Sequence, residues 1–473
     1  MSADPKLDLA EIYEIHIVGI GGAGMSAIAR VLHGWGKRVR GSDRRISPIT
    51  EALQAEGIAV TVGHAAENVA RADLVLASSA VPDTNPELAA ARERGIRVVR
   101  RPEFLPELTS GCDVIAVAGA HGKTTVTGMT ASVLMAAGLD PTYIVGGVVL
   151  NLQTNGYAGS GRHFVIEADE YRRTFLALSP AVAVITNVEF DYPDCYPSMR
   201  HLRLAFGEFV DNIVPGGTLI ACGDDPVAHA IAASYHASGG RVVLYGMGSE
   251  VEYSWHARDI AANAAGGLSF TAVHEGEIVG RFDLQVPGEF NVVNALAVLG
   301  IAAELGIDRQ VMQQALQAYT GTARRFEVLG EADGVTVIDD YAHHPTQIRG
   351  VLRAARRRYG ERRLVAVWEP HTFSRIRALR EEFMTSFGVA DQVLVMPIYA
   401  AREVDDGSLT AQDLALTVAH QMVQCAVSLD DAVARLAAGA QPGDVVMLMG
   451  AGNETIVGRR LVDALRQREL GVM

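Results

Sequence analysis

One pattern constrains this chain more than any other: an apolar run breaks at a glycine-rich turn that opens a helix-like stretch, and it does so twice. Residues 15–20 run into Gly19-Ile20-Gly21-Gly22-Ala23-Gly24, with a helix expected from about Ser26 to Gly34. Residues 113–118 run into Gly119-Ala120-His121-Gly122-Lys123-Thr124-Thr125, with a helix expected through about Ala137. Strand-like runs at 37–40, 73–77, 164–167, 181–186, 335–339, 364–368, 392–396 and 444–449 alternate with helical stretches. Such alternation predicts α/β domains built on parallel sheets with crossover helices. Residues 268–273 and 278–284 alternate apolar with polar side chains around His274-Glu275-Gly276-Glu277, so an antiparallel hairpin is expected there. At roughly 100–200 residues per domain, 473 residues exceed a single core. Polar, Pro- or Gly-bearing joints at 106–111 and 320–324 divide the chain into expected domains 1–109, 110–321 and 322–473.

The first turn fits GxGxxG between a strand and a helix. Gly19 permits the tight bend, Gly21 lets the backbone approach a diphosphate, and Gly24 allows close helix–strand packing. The N-terminus of the helix that follows supplies amide donors for an anion. Asp43 stands about where a ribose-binding acid follows in nicotinamide enzymes. An NAD-dependent oxidoreductase and a turn needing glycine for packing alone therefore both stay open.

The second turn is shorter than GxxxxGK[ST], because Val117 stands where the first glycine would be and the glycine is instead Gly119. Its parts keep their uses: amides around Gly122 cradle phosphates, the Lys123 ammonium reaches the terminal phosphoryl oxygens, and the Thr124 hydroxyl is a ligand for Mg²⁺. A chance Gly-Lys-Thr in a surface loop would lack the strand before it and the helix after it. ATP is the expected cofactor. Glu167, at the end of a strand, is the expected Mg²⁺ carboxylate. Asn187, Asp191 and Asp194 follow the next strand as a second candidate cluster, although helix caps or solvated acids account equally well for Asp191 and Asp194.

Lys and Arg total 41 against 55 Asp and Glu, a net charge of −14, which argues against a nucleic-acid partner. No apolar run reaches the ~18 residues of a membrane span, so no membrane insertion is expected. The N-terminal residues carry no signal-peptide pattern, and the four cysteines (Cys112, Cys195, Cys222, Cys425) form no CxxC pair, which fits a reducing, cytoplasmic setting.

Further motifs follow in order: Glu167-Ala168-Asp169-Glu170, Thr186-Asn187-Val188-Glu189, Asn291 and Asn294 after Gly288, Arg324-Arg325-Phe326, Asp339-Asp340-Tyr341-Ala342-His343-His344-Pro345, and Glu369-Pro370-His371-Thr372-Phe373-Ser374-Arg375. With the two glycine turns, this series resembles the Mur ligases of peptidoglycan synthesis over nearly the whole chain, and most closely their alanine-adding members. The resemblance implies a Rossmann-like first domain in which Gly19, Gly21, Gly22, Ala23 and Gly24 hold a UDP-sugar, with Asp43, Ser78 and Ser79 beside it. It implies a central P-loop ATPase domain, a parallel sheet with a small antiparallel portion. There Gly119, His121, Gly122, Lys123, Thr124 and Thr125 hold ATP, Asn294 lies near the adenine, and Arg325 and Asp340 reach over from a Rossmann-like third domain. Tyr341, His343, His371 and Arg375 would receive the amino acid, with Lys123, His343, His371 and Arg375 the catalytic set. The implied reaction joins L-alanine to the lactyl carboxylate of UDP-N-acetylmuramate through an acyl phosphate, releasing ADP and phosphate, in a monomer or homodimer. Without the resemblance, Asp340, His343 and His344 read as a hydrogen-bonded structural cluster before Pro345.

Four positions depart from the family pattern. Tyr192 stands where a metal-holding His is common, Phe290 where a His precedes the Asn, Thr372 where some relatives carry Arg, and Arg172 where Ser or Asp is usual. A phenol is a poor Mg²⁺ ligand, so a second metal would be held differently or more weakly. Three alternatives are a family ligase that recycles murein peptides, an NAD-dependent oxidoreductase, and a non-catalytic nucleotide-binding regulator. The Pro-His-x-x-Ser-Arg pattern at 370–375 favours the alanine-adding reading over the first.

Overall fold

Every residue of Glu14–Val18 (β1) is buried, so both faces of the strand need cover, which a parallel sheet between crossover helices supplies. The computed structural model describes residues 7–248 and 253–471. In it β1 joins Arg38–Asp43 (β2), Ala59–Val62 (β3), Leu74–Ala77 (β4) and Arg97–Arg100 (β5) in an all-parallel sheet of order β3-β2-β1-β4-β5. The winding reverses between β1 and β4, where the C-terminal strand ends leave a crevice. Gly19 and Ser78 face each other across it: a Cβ on Gly19, whose φ is +79°, would lie 3.2 Å from that of Ser78.

The second sheet has ten strands: Asp113–Ala118 (β6), Thr142–Val149 (β7), Thr154–Tyr157 (β8), His163–Glu167 (β9), Val182–Ile185 (β10), Thr218–Cys222 (β11), Arg241–Gly246 (β12), Trp255–Ala262 (β13), Leu268–His274 (β14) and Glu277–Asp283 (β15). Their order is β15-β14-β13-β12-β11-β10-β6-β9-β7-β8. The centre is parallel, β14 and β15 pair antiparallel as expected, β13 also pairs antiparallel with β14, and β7–β8 is a further antiparallel pair at the other edge. The β7–β8 hairpin is not among the expected elements, because Gly146-Gly147 in β7 and Thr-Asn-Gly in β8 break any apolar alternation. It docks the first domain. Asn155 Nδ2 donates to Ala23 O at 2.9 Å, Arg30 Nη1 donates to Asn155 Oδ1 at 2.5 Å, and Gly156 lies against the backbone of Ala27.

Glu327–Ala332 (β16), Val335–Asp340 (β17), Leu364–Trp368 (β18), Gln392–Val395 (β19), Val423–Cys425 (β20) and Val445–Met449 (β21) make the third sheet, in the order β16-β17-β21-β18-β19-β20. Its antiparallel edge strand β16 was not expected from the sequence. The helix after the first turn begins at Ala23 rather than Ser26, and β2 runs on to Asp43. Among the described residues, no helix is long and apolar enough to cross a membrane.

Candidate active site

The second turn lies between the ends of β9 and β10, and two glycines make it possible. Gly119 has φ +135°, and a Cβ there would overlap Thr186 Oγ1; Gly122 has φ +83°, and a Cβ would sit 2.5 Å from Asn294 Oδ1. Side chains at the end of β10 hold the loop. Thr186 Oγ1 donates to His121 O at 2.5 Å, and Asn187 both accepts from His121 N–H at 2.8 Å and donates to His121 O at 3.1 Å. Gly122 caps the helix Lys123–Ala136 with no side chain of its own, which leaves the first amides of the helix open to an anion.

Lys123 folds back over this loop. Its Nζ donates to Gly119 O and to both oxygens of Glu170, at 2.9 and 3.0 Å. Burial opposes the charge, yet the Glu170, Asp169 and Glu167 carboxylates hold the Lys123 ammonium above the ordinary lysine range. Burial pushes the Glu170 carboxyl up to about 7, with Lys123 pulling the other way. Glu170 stands in the motif at 167–170 with no role expected of it from the sequence, where Glu167 is the expected Mg²⁺ carboxylate. Glu167 Oε1 accepts the Gly146 N–H at 2.5 Å, and Thr124 Oγ1 accepts from Arg325 Nη2 of the third domain at 3.3 Å.

A cavity of about 630 Å³ opens between the middle and third domains, lined by His121, Gly122, Thr125, Asn294, Arg325 and Asp340 among others. Phe290, at one of the positions that depart from the family pattern, lines it too. The Asp340 carboxylate accepts the N–H groups of Phe326 and Ala342, both at 2.8 Å, and burial pushes it up to about 6. That group is therefore a backbone clamp as well as a cavity wall. Around His121 the two domains are knit together: Nε2 meets Glu189 Oε2 at 2.7 Å, Gln347 Nε2 meets Nδ1 at 2.9 Å, and Thr346 Oγ1 donates to Glu189 Oε1 at 2.6 Å. His344 caps the helix Pro345–Tyr359 through Thr346 N–H. Glu189 stands in the motif at 186–189 with no role expected of it, and Gln347 in no motif; only the fold brings them to His121.

Farther along the same seam, Arg375 Nε donates to Asp191 Oδ1 at 2.7 Å and Nη2 to Oδ2 at 3.3 Å, with both side chains buried. Arg375 Nη1 also reaches His371 Nδ1 at 2.7 Å, so that nitrogen accepts. The His343 ring lies 5.7 Å from that of His371 and 5.2 Å from that of Tyr341. Burial, reinforced by the Arg375 charge, lowers His371 to about 3 and His343 well below the ordinary range, so both imidazoles are neutral. Burial disfavours the Asp191 charge, but Arg375 overrides it and holds the carboxyl well below its ordinary range. Tyr192 has φ +55°, with the Arg375 guanidinium 5.4 Å from its ring centre and the Tyr171 ring 5.0 Å away. It is thus a packing platform for Arg375. Thr372 has φ +62° and ties to Tyr399 O through its N–H at 2.9 Å. Behind this wall, Arg324 pairs with buried Glu454 and lies 3.7 Å from Asp339, while stacking 4.7 Å from the Tyr341 ring centre.

In the first domain Asp43 is turned inward: Oδ2 accepts the Gly21 N–H at 2.9 Å and Oδ1 accepts from Arg44 N–H. It braces the turn. Ser78 Oγ accepts the Ala80 N–H at 3.3 Å, and Ser79 O accepts from Arg172 of the middle domain at 3.1 Å.

Each of the three domains matches a known protein family. Residues 14–113 match the family description "Mur ligase family, catalytic domain", 117–302 "Mur ligase middle domain", and 324–452 "Mur ligase, glutamate ligase domain". A UDP-N-acetylmuramate–L-alanine ligase of Frankia casuarinae is 42% identical over 95% of this chain and 97% of its own. That of Kineococcus radiotolerans is 42% identical over 97% and 98%. Among solved structures, the UDP-N-acetylmuramate-alanine ligase of Thermotoga maritima superposes with a TM-score of 0.80 at 28% identity, over 97% of this chain and all of the other. A murein peptide ligase of Psychrobacter arcticus gives 0.74 at 27% identity, over 96% and 99%. With three family domains in succession and near-full-length relatives at this identity, the chain belongs to the Mur ligase family.

Proposed function

We propose that the chain is an ATP-dependent ligase that joins L-alanine to the lactyl carboxylate of UDP-N-acetylmuramate. The observation that carries this reading is the position of Lys123. It begins a helix whose first amides are open, directly after Gly122, which lines the cavity between the middle and third domains, and Glu170 keeps it charged. Residues 1–109 take the UDP-sugar at the Gly19–Gly24 turn, with Gly21, Gly22, Ala23, Ser78 and Ser79 around it. Residues 110–321 take ATP, with Asn294 near the base, and residues 322–473 bring Arg325, Asp340 and the amino-acid pocket.

In the proposed path the sugar carboxylate attacks the γ-phosphoryl group in line, and Lys123 with the open amides of the helix Lys123–Ala136 stabilises the charge that gathers on the transferred oxygens. The Thr124 hydroxyl and the Glu167 carboxylate are hard oxygen donors of the kind Mg²⁺ takes, and Mg²⁺ held there supplies charge neutralisation on the phosphates. The amine of L-alanine then attacks the acyl carbon and phosphate departs. His371 and His343, both neutral, are acceptors able to orient that amine or take its proton. Arg375, paired with Asp191, fixes the His371 ring at the amino-acid pocket. Phosphate release from ATP, with UDP-N-acetylmuramate and L-alanine left out in turn, tests the proposal. Release requires both, whereas release with tripeptide but not with free alanine would mark a murein-peptide ligase instead.

A further inference from the structure

Resting on that reading of the Gly19–Gly24 turn, we infer that Arg172 is a substrate-positioning residue. It is the middle domain's cationic hook for the diphosphate of the UDP-sugar, reaching across the domain boundary to the crevice between β1 and β4.

Three observations converge on it. The first is reach. Arg172 Nη1 donates to Ser79 O at 3.1 Å, in the loop after β4 that faces Gly19 across the switch point, so the guanidinium stands at the rim of the crevice that an anion on the turn would occupy. The second is charge. The neighbouring arginines are each neutralised: Arg173 by Glu208, Arg101 by Asp169 at 3.8 Å, and Arg100 by Asp83 at 2.6 Å. Among the described residues Arg172 has no carboxylate partner. It is exposed, and its guanidinium lies 5.7 Å from the Tyr171 ring centre. Beyond the Ser79 carbonyl and a hydrogen bond to the Tyr171 hydroxyl, the guanidinium keeps donors for a charged acceptor such as a diphosphate.

The third is backbone. Arg172 and Arg173 both adopt left-handed conformations, φ/ψ +52°/+26° and +58°/+27°, in the segment Tyr171–Ala177. Non-glycine residues in this region carry a conformational cost, and such residues gather at functional sites. The segment is pinned from behind by Tyr196 Oη donating to Glu170 O, and by Arg172 N–H meeting Cys195 Sγ at 3.2 Å. Glu170 at its head holds Lys123 and Arg172 reaches the first domain, so one short turn spans the path from the diphosphate site to the phosphoryl-transfer site. The position is one of the four where the sequence departs from the family pattern, and this role accounts for the departure.

Substituting Arg172 by glycine separates binding from strain, because glycine takes φ +52° without cost. In R172G, Tm holds or rises, KM for UDP-N-acetylmuramate climbs about tenfold, and KM for ATP stays within about twofold, as expected for one charge-assisted contact. Calorimetric titration of UDP and UMP shows the wild type's preference for UDP shrinking by a similar factor in R172G, and R172K recovers part of it. R172G with an unchanged KM for the UDP-sugar and an unchanged UDP-to-UMP ratio overturns the inference, as does an equal loss for UDP and UMP. If the wild type itself releases no phosphate with UDP-N-acetylmuramate and L-alanine, the proposed function has failed rather than the role of Arg172 alone.

Discussion

Arg375 of the third domain donates from Nε to Asp191 of the middle domain at 2.7 Å, with both side chains nearly closed to solvent. The pair staples two domains at the proposed amino-acid pocket, and removing one partner strands a buried charge. We predict that D191A destabilises the protein by about 3–5 kcal/mol. In a D191N, R375Q and double-variant cycle, the double variant loses less than the sum of the singles. Urea denaturation of the four proteins measures this, and additive losses would contradict the coupling.

Lys123 makes its contacts through a charge that Glu170 sustains. K123A should lower kcat for phosphate release by about 10²–10³-fold, the usual effect of losing one donor to a developing oxyanion. The Glu170 carboxyl left behind, already pushed up to about 7, takes up a proton, so K123A costs less stability than D191A, which thermal melting checks. E170Q, which leaves the ammonium less compensated, should also slow turnover while binding of alanine persists.

His371 and His344 are neutral in the fold, lowered by burial to about 3 and about 4, against an ordinary 6.5. Below 6.5 the unfolded chain binds protons that the native state does not, so stability falls with pH through this window down to about 3–4. Each such histidine contributes a slope of about 1.4 kcal/mol per pH unit once its unfolded form is charged. Unfolding free energy measured from pH 7.5 to 5 should decline accordingly. H344N, whose side chain can still cap the helix, should show a shallower decline.

Glu369 is buried, accepts the Asn453 N–H at 2.9 Å, and is pushed up to about 9 by burial and by the neighbouring Glu454 carboxyl. It behaves as a neutral acid at pH 7, so E369Q should cost less than about 1 kcal/mol, whereas E369A orphans an amide and should cost about 1–3 kcal/mol. The raised group keeps its proton in the fold, and the unfolded chain gives it up above about 4.5. Wild type therefore loses stability as pH rises towards 9, and E369Q does not share that loss. Parallel denaturation at pH 7 and 9 distinguishes the two.

The sequence was most readable where backbone geometry demands glycine. The turns at Gly19 and Gly119–Gly122, their strands and their helices follow from local sterics, and they lie where expected to within about three residues. Contacts between domains were not readable in this way. Glu170 lies three residues from Glu167 in one acidic motif, and only the turn after β9 decides which of them meets Lys123. Asp43 lies at the expected spacing from the turn, yet its carboxylate braces Gly21 N–H rather than facing outward. Tyr192 read as a lost metal ligand, but at φ +55° it supports Arg375 from below. The β7–β8 hairpin escaped notice because its role is docking, carried by Asn155 and by glycines that let backbones approach, rather than by an apolar pattern.

The central claim is that the terminal phosphoryl group of ATP passes to the sugar acid before the amide forms. UDP-N-acetylmuramate labelled with ¹⁸O in its lactyl carboxylate tests it, with the released phosphate analysed by mass spectrometry after turnover with ATP and L-alanine. The account predicts one labelled oxygen in each inorganic phosphate formed, since the bridging oxygen leaves with phosphorus when the amine attacks. Amide product accompanied by wholly unlabelled phosphate would contradict it.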